Sequence, residues 1–423
     1  MLGNYNRQLG KNPLALIYFL STIFIVFFSV NAVQNWLPLL GQGTLVFACL
    51  LPVLGVLIKN RHNIFKEITW SVELKFVLVI IVLGMLNICF SEDQFASLKG
   101  MSLFLMSGVV VFSVSYSLFK SKQAQKNFFC LCSFCFVAVL VYGAFEFFQQ
   151  VGFYDQKILL FSGNPIPAGS LLIILSIGPL ISLEESENNW QRLFWVFCLL
   201  SGALLITLIA QRGPALAMIV MAFFIAATKR KGIWIFTVVA LIFVGAGYQF
   251  GEKIPSQFKN ELIKKETLLV RMELYYIALE VVREKPIFGI GFNAPLSRFI
   301  PNEYESKVYT KVQGGSFKDM VAGLHVFDNM ALSFLGEAGG LFTLAYIGLG
   351  VYVLVGIKRS LKSGFIDQTQ TILTLIVLVV FMAHSMTFDS LKYPHLNWIF
   401  HSLLGLVAQC QVSNQKELNG SVA

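Results

Sequence analysis

Charge is scarce in this chain: Asp, Glu, Lys and Arg together make up 13% of its 423 residues, about half the share of an average soluble domain. A chain so poor in charge cannot clothe a water-facing surface, which excludes an ordinary soluble globular protein. Histidine is rarer still, with five residues, and leaves little material for a histidine-based metal centre. The seven cysteines all fall in apolar runs. Cys130, Cys132 and Cys135 have no His or acidic neighbour, so they read as buried thiols rather than metal ligands. Internal repeats, low-complexity tracts and a second soluble domain are also missing.

What is there is apolar. Hydrophobic residues are 56% of the sequence and the mean hydropathy is +0.71, which places the chain among polytopic helical membrane proteins. Apolar runs at about 13–32, 36–58, 74–90, 98–119, 128–148, 158–183, 193–210, 214–228, 233–250, 332–357, 371–388 and 396–411 give twelve candidate spans. The first run is too long for the core of a cleavable signal and is kept as a span. The formal charge of +9 needs no nucleic acid to explain it. With the N-terminus placed in the cytoplasm, 17 Lys+Arg fall on that side and only four (Lys99, Lys157, Arg212, Lys392) in short loops on the other. Such an asymmetry is what membrane insertion demands, and it puts both ends inside.

The longest polar interval, Gly251 to about Asp328, carries 11 of the 32 Lys+Arg residues and falls on the outer side. Long translocated loops are exempt from the charge rule, and an active site is expected where this loop meets the bilayer. Arg212 stands in Gln211-Arg212-Gly213-Pro214 between two apolar runs. One reading is an interfacial anchor whose guanidinium reaches lipid headgroups. The other is a phosphate clamp, since the guanidinium fork matches phosphate oxygens two at a time. Residues 266–284 should form a helix ended by Pro286. At about 100° per residue, Tyr275, Ala278 and Val282 lie within about 40° of Arg271, with Glu266, Glu273, Glu280 and Glu284 on the other side. Arg271 is therefore expected at the centre of an apolar face, where it either packs its stem on the membrane surface or points into a cavity that the face roofs, toward an anion.

Lys285-Pro286-Ile-Phe-Gly289-Ile-Gly291-Phe292-Asn293 follows as a structural turn; it lacks the strand and the spacing of a nucleotide loop. His325 is the only histidine in the loop and a candidate base near neutral pH. Asp328 and Asn329 are candidate helix caps. His384, His395 and Asp389 fall near another outer turn and are candidates to line the same mouth. Ser162-Gly163-Asn164-Pro165 interrupts the long run 158–183, as discontinuous helices do at binding sites.

Taken in order, Gly163-Asn164-Pro165, Gln211-Arg212-Gly213, Arg271 through Gly291, and Asp328-Asn329 through Gly339 resemble the O-antigen ligase and polymerase superfamily of bacterial envelope glycosyltransferases. The resemblance implies transfer of a glycan from an undecaprenyl-diphosphate carrier to an acceptor hydroxyl at the periplasmic face, with no metal and no nucleotide cofactor. In ligases that acceptor is the lipid A–core sugar. It also implies that Arg212 and Arg271 engage the donor diphosphate, with Asn164 and Asn329 in the substrate site. The family commonly has His directly before the Asn that precedes a nine-residue gap to Gly. Here Asn329 and Gly339 keep the gap, but Asp328 holds the His position.

The expected fold is all-α and GT-C-like: nine spans in 1–250, an outer loop with an amphipathic helix in 251–328, three spans in 329–411 and an inner tail in 412–423. The expected activity is O-antigen ligation, with His325 as base and Asp328 as its orienter or replacement. A polymerase using the same donor is the alternative. A lipid-linked-sugar flippase fits less well, because the charges sit at the outer rim rather than the bilayer midplane. Ile300→Cys should label from outside in intact cells with a permeabilised outer membrane. Labelling only after lysis of the inner membrane overturns this topology.

Overall fold

A computed structural model describes residues 13–28, 72–150, 164–209, 211–228, 265–295, 327–363 and 368–420. The described residues are helical, without strands. The apolar runs 36–58 and 233–250 and most of the outer loop, including His325, lie outside them, as does the interruption at 162–163. Six described helices are long and apolar enough to cross a membrane, and three shorter apolar helices accompany them.

In chain order the helices are α1 (Pro13–Phe28), α2 (Val72–Cys89), α3 (Gln94–Phe104), α4 (Val110–Leu118), α5 (Lys122–Gln150), α6 (Pro165–Leu175), α7 (Ile177–Glu185) and α8 (Asn189–Leu208). Then come α9 (Arg212–Ala227), α10 (Lys265–Glu284), α11 (Met330–Ser333), α12 (Gly340–Ser363), α13 (Gln368–Ser385) and α14 (Pro394–Gly420). A π turn, Leu105–Val109, joins α3 to α4, and a second, Phe334–Ala338, extends α11. The apolar run at 332–357 is thus not one helix. Gly339 adopts a φ of 86°, outside the right-handed region open to other residues, so the membrane-crossing helix begins only at Gly340.

α14 lies at the centre of the bundle. It packs on α4, the first π turn, α12, α1 and α6, and Trp398, Leu396, Ile399 and Leu403 on it are fully buried. In lipid, burial of apolar surface gives helices no reason to prefer one another, so close packing and hydrogen bonds must do it. Asn397 Nδ2 donates to Phe104 O and Ser107 Oγ, both at 2.9 Å. His401 pairs with Tyr346 OH at 3.0 Å, Trp398 Nε1 donates to Thr22 Oγ1 at 2.9 Å, and Tyr18 OH meets Ser402 Oγ at 2.5 Å. These bonds tie α14 to α3, α12 and α1.

α10 ends at Glu284, just before Pro286, as expected. The segment after it, Pro286–Asn293, is clamped between the α2–α3 corner and the second π turn. Ile290 N donates to Gly336 O and Gly291 N to Glu337 O, both at 3.0 Å, and Gly340 N donates to Pro286 O at 2.8 Å. Gly289 and Gly291 have φ of 69° and 110°; a Cβ on Gly291 would collide with Ser91 and Ser97. Asn87, fully buried in α2, serves the clamp three times: Nδ2 donates to Phe288 O at 2.6 Å and Glu337 O at 2.7 Å, and Oδ1 accepts from Phe292 N at 3.2 Å. Asn87→Leu removes all three bonds and takes from the Phe288 carbonyl and the buried Phe292 N–H the partner that Asn87 gives them. It should lower stability by about 2–4 kcal/mol, read as a drop in the detergent-solubilised protein's thermal transition.

Candidate functional site

The site gathers around the turn between α13 and α14, residues 386–393, because three helix starts, those of α6, α9 and α11, dock on it. Asn329 caps α11: its Oδ1 accepts from Leu332 N at 3.1 Å while its Nδ2 donates to Met386 O at 2.9 Å. Asn164 caps α6, accepting from Ile166 N at 3.0 Å, and its side chain also hydrogen-bonds Tyr393. Gly213, in the first turn of α9, lies against His384 and Thr387. His384 Nε2 in turn meets Ser170 Oγ of α6 at 2.7 Å. The first turns of α6 and α9 also touch each other, Gly169 against Pro214. Helix starts carry unpaired N–H groups and a positive dipole end, so this convergence favours an anion.

Arg271 reaches the same place from α10. Its Nε lies 3.5 Å from Asp328 Oδ2, with the two side chains 33% and 27% exposed, and it acts electrostatically on His384. Tyr275 OH touches Asp328 O at 3.5 Å. The buried side of α10 is Leu274, Ile277, Ala278 and Val281, so Arg271 sits on the flank of the apolar face, not at its centre. The anion it meets is the protein's own carboxylate. Arg212 opens α9; its side chain and His325 lie outside the described part.

Asp328 ionises against the sense its cationic neighbour would give it. An aspartate beside arginines should ionise more readily, yet burial pushes its carboxyl above the usual range, outweighing Arg271, and the nearby Asp389 pushes the same way. Its φ is 52°, a left-handed conformation that Asp and Asn tolerate better than most residues. Asn329 rather than Asp328 is the cap.

Behind this rim lies a buried ionic cluster of Lys392, Glu337 and Asp389, of which Asp389 alone was a candidate from the sequence. Lys392 Nζ is 2.5 Å from Glu337 Oε1 and 3.8 Å from Asp389 Oδ2, with side-chain exposures of 7%, 1% and 0%. Ser333 Oγ donates to Asp389 Oδ2 at 2.6 Å, and Asn293 N donates to Glu337 Oε2 at 2.8 Å. Asp389 Oδ1 is buried with no hydrogen-bond partner among the described residues. Tyr393 stacks on Phe388 at 5.5 Å, and burial, with Asp389 and Asp328 adding to it, pushes its phenol up to about 12. It stays a neutral donor. The signal for the cluster was available: Glu337 interrupts an apolar run, and Lys392 is a cation on the side where cations are rare. His395 is buried against Tyr393. Among the described residues no group of His, Cys, Asp and Glu has the arrangement of a metal site.

Residues 194–317 match the family model described as O-antigen ligase. The match covers Arg212 and Arg271 and stops short of Asp328. The curated proteins give no match.

Asp328 binds its proton to higher pH in the folded chain than in the unfolded one. Its contribution to stability is greatest below the ordinary carboxylate range and falls as pH rises through the raised value. Asp328→Asn, which keeps the backbone conformation accessible, should flatten that part of the curve of thermal transition against pH. An unchanged slope would show that Asp328 ionises as it does in water.

Proposed function

The O-antigen ligase domain at residues 194–317 puts the chain in that superfamily of membrane proteins, and from there we propose that it is a metal-independent glycosyltransferase. It takes a glycan from undecaprenyl diphosphate and passes it to lipid A–core at the periplasmic face of the inner membrane. The observation that carries the reading is the placement of Arg271. It is a partly exposed guanidinium that pairs with Asp328 and acts on His384, which itself meets Ser170 of α6 and lies against Gly213 of α9, and Arg212 is the first residue of α9.

The donor diphosphate keeps two negative charges, and more charge develops on its sugar-side oxygen as the C1–O bond breaks. Arg271 and Arg212 neutralise it there, as fixed cations in a partly dry site do best. Asp328 holds Arg271 in place before the donor arrives and yields it when the diphosphate binds. Asn164 and Asn329 fix the floor of the site through Tyr393 and Met386. The acceptor hydroxyl attacks C1 from the far side, with inversion. Its proton goes to a base, and the lipid diphosphate leaves.

His325 is the base in this scheme, its imidazole matched to neutral pH. The burial of Asp328 favours a second assignment. A carboxylate pushed up by burial is a stronger base than one held down by arginines, and Asp328 stands where the family's histidine stands. Polymerisation of the glycan on the same donor is the alternative activity; it differs only in the acceptor.

Arg271→Ala should cut transfer by about 100-fold or more with normal expression, and Arg271→Lys nearly as much, because an ammonium lacks the fork. Undiminished transfer in Arg271→Ala removes the diphosphate role. A deletion strain with free core and polymer retained on the carrier supports the ligase. Core bearing a single repeat unit assigns the polymerase. With purified donor, full activity in His325→Ala and none in Asp328→Asn moves the base to Asp328.

A further inference from the structure

Lys392 has two carboxylates to choose from. It is in contact with Glu337 Oε1 and stands 3.8 Å from Asp389 Oδ2, so a small side-chain rotation exchanges one partner for the other. Asp389 is fully buried, and its Oδ1 has no hydrogen-bond partner among the described residues, which leaves the carboxylate able to accept that ammonium. The cluster is also unbalanced. Asp328, Glu337 and Asp389 are three carboxylates, against Arg271 and Lys392 as the described cations in contact with them. Fully ionised, these groups carry one negative charge too many for a site that must receive an anion.

We propose that Glu337 is the positioning and charge-setting residue of the donor site, and that binding of the lipid diphosphate is coupled to uptake of a proton there. The inference rests on the donor reading above. With Glu337 ionised, Lys392 stays on it and Asp389 keeps its charge facing Asp328 and Arg271. With Glu337 protonated, Lys392 turns to Asp389. The rim then loses one negative charge, and Arg271 is more easily drawn from Asp328 to the diphosphate. The step is a proton transfer from solvent to a carboxylate; no other bond changes.

The surroundings suit this role. The groups acting on Glu337 are Lys392 and Asp389 from the α13–α14 turn and the N–H of Asn293. α2 contributes the uncharged Asn87. At the rim of the clamp, Lys285 and Glu92 pair with each other at 3.6 Å. Burial outweighs the lysine and pushes the Glu337 carboxyl up to about 7, so its proton is exchangeable near neutrality. A disubstituted diphosphate has no proton to gain or lose in that range, so the pH dependence belongs to the protein. Coupling is reciprocal: if the proton strengthens donor binding, the donor strengthens proton binding by the same factor.

The test uses the full-length protein in nanodiscs with purified lipid-linked donor, measuring KM and kcat from about pH 6 to about pH 8. The donor KM of the wild type should rise about threefold or more with pH. Glu337→Gln keeps an acceptor for Asn293 N and should hold the KM at its low-pH value throughout. Glu337→Asp should restore part of the slope. In infrared pH-difference spectra the protonated carboxyl signal that titrates near neutrality should lose its Glu337 component in Glu337→Gln, while any Asp328 component stays. A flat wild-type profile overturns the inference, as does a slope surviving in Glu337→Gln, or a KM raised equally at every pH by that variant. Arg271→Ala, run alongside, separates the two failures. If it transfers normally, the donor reading falls; if it fails while the KM ignores pH and Glu337, only the proton coupling falls.

Discussion

The buried contact between Lys392 and Glu337 is the constraint from which the geometry of the site follows. An ammonium and a carboxylate this far from water are tolerated only when each has a close partner. Meeting that requirement draws together two pieces of chain 55 residues apart. The carboxylate comes from a π turn, where the widened helix projects it toward the clamp segment that follows α10. The ammonium comes from the turn that joins α13 to α14. Once both are fixed, Arg271 on α10 and the caps at Asn164 and Asn329 have little freedom in where they stand.

The same arrangement gives the site its chemistry. Helix starts, a guanidinium and a buried lysine all favour negative charge, and Asp328 and Asp389 supply it within the fold. In the proposed reading such a site is pre-organised for a leaving diphosphate, because its dipoles and charges need not reorient as charge develops. Carboxylates that restrain the arginine also tune its availability. Burial works in the same direction, since it favours neutral carboxyls over ionised ones.

Two devices in the bundle have no soluble counterpart of equal weight. The polar contacts of α14, through Asn397, His401, Ser402 and Trp398, lie among apolar side chains, where they replace the hydrophobic effect as the source of helix-to-helix preference. The clamp on Pro286–Asn293 satisfies the backbone of a non-helical segment by pairing it with Asn87 and the second π turn, which is how irregular chain is tolerated near a bilayer.

Much of this was legible in the amino-acid order. Long apolar runs separated by charge dictated helices across a bilayer, because a span can hide its backbone only in such runs. Pro286 fixed the end of α10, Asn164-Pro165 the start of α6 and Asn329 the start of α11, since these are local events of capping and of a missing N–H. The type and order of Arg212, Arg271, Asp328 and Asn329 carried the resemblance to the superfamily, and the family model matches residues 194–317. Periodicity could not say which flank of α10 would be buried, and it placed Arg271 at the centre of a face whose centre is Leu274 to Val281. The balance of burial against charge at Asp328 came out with the opposite sign, because desolvation depends on what surrounds a residue in space. Glu337 is more than 50 residues from Lys392 and Asp389, and nothing in the order of residues says that they meet. Only the folded packing brought them within reach of one another, and only there does a lysine acquire two competing partners.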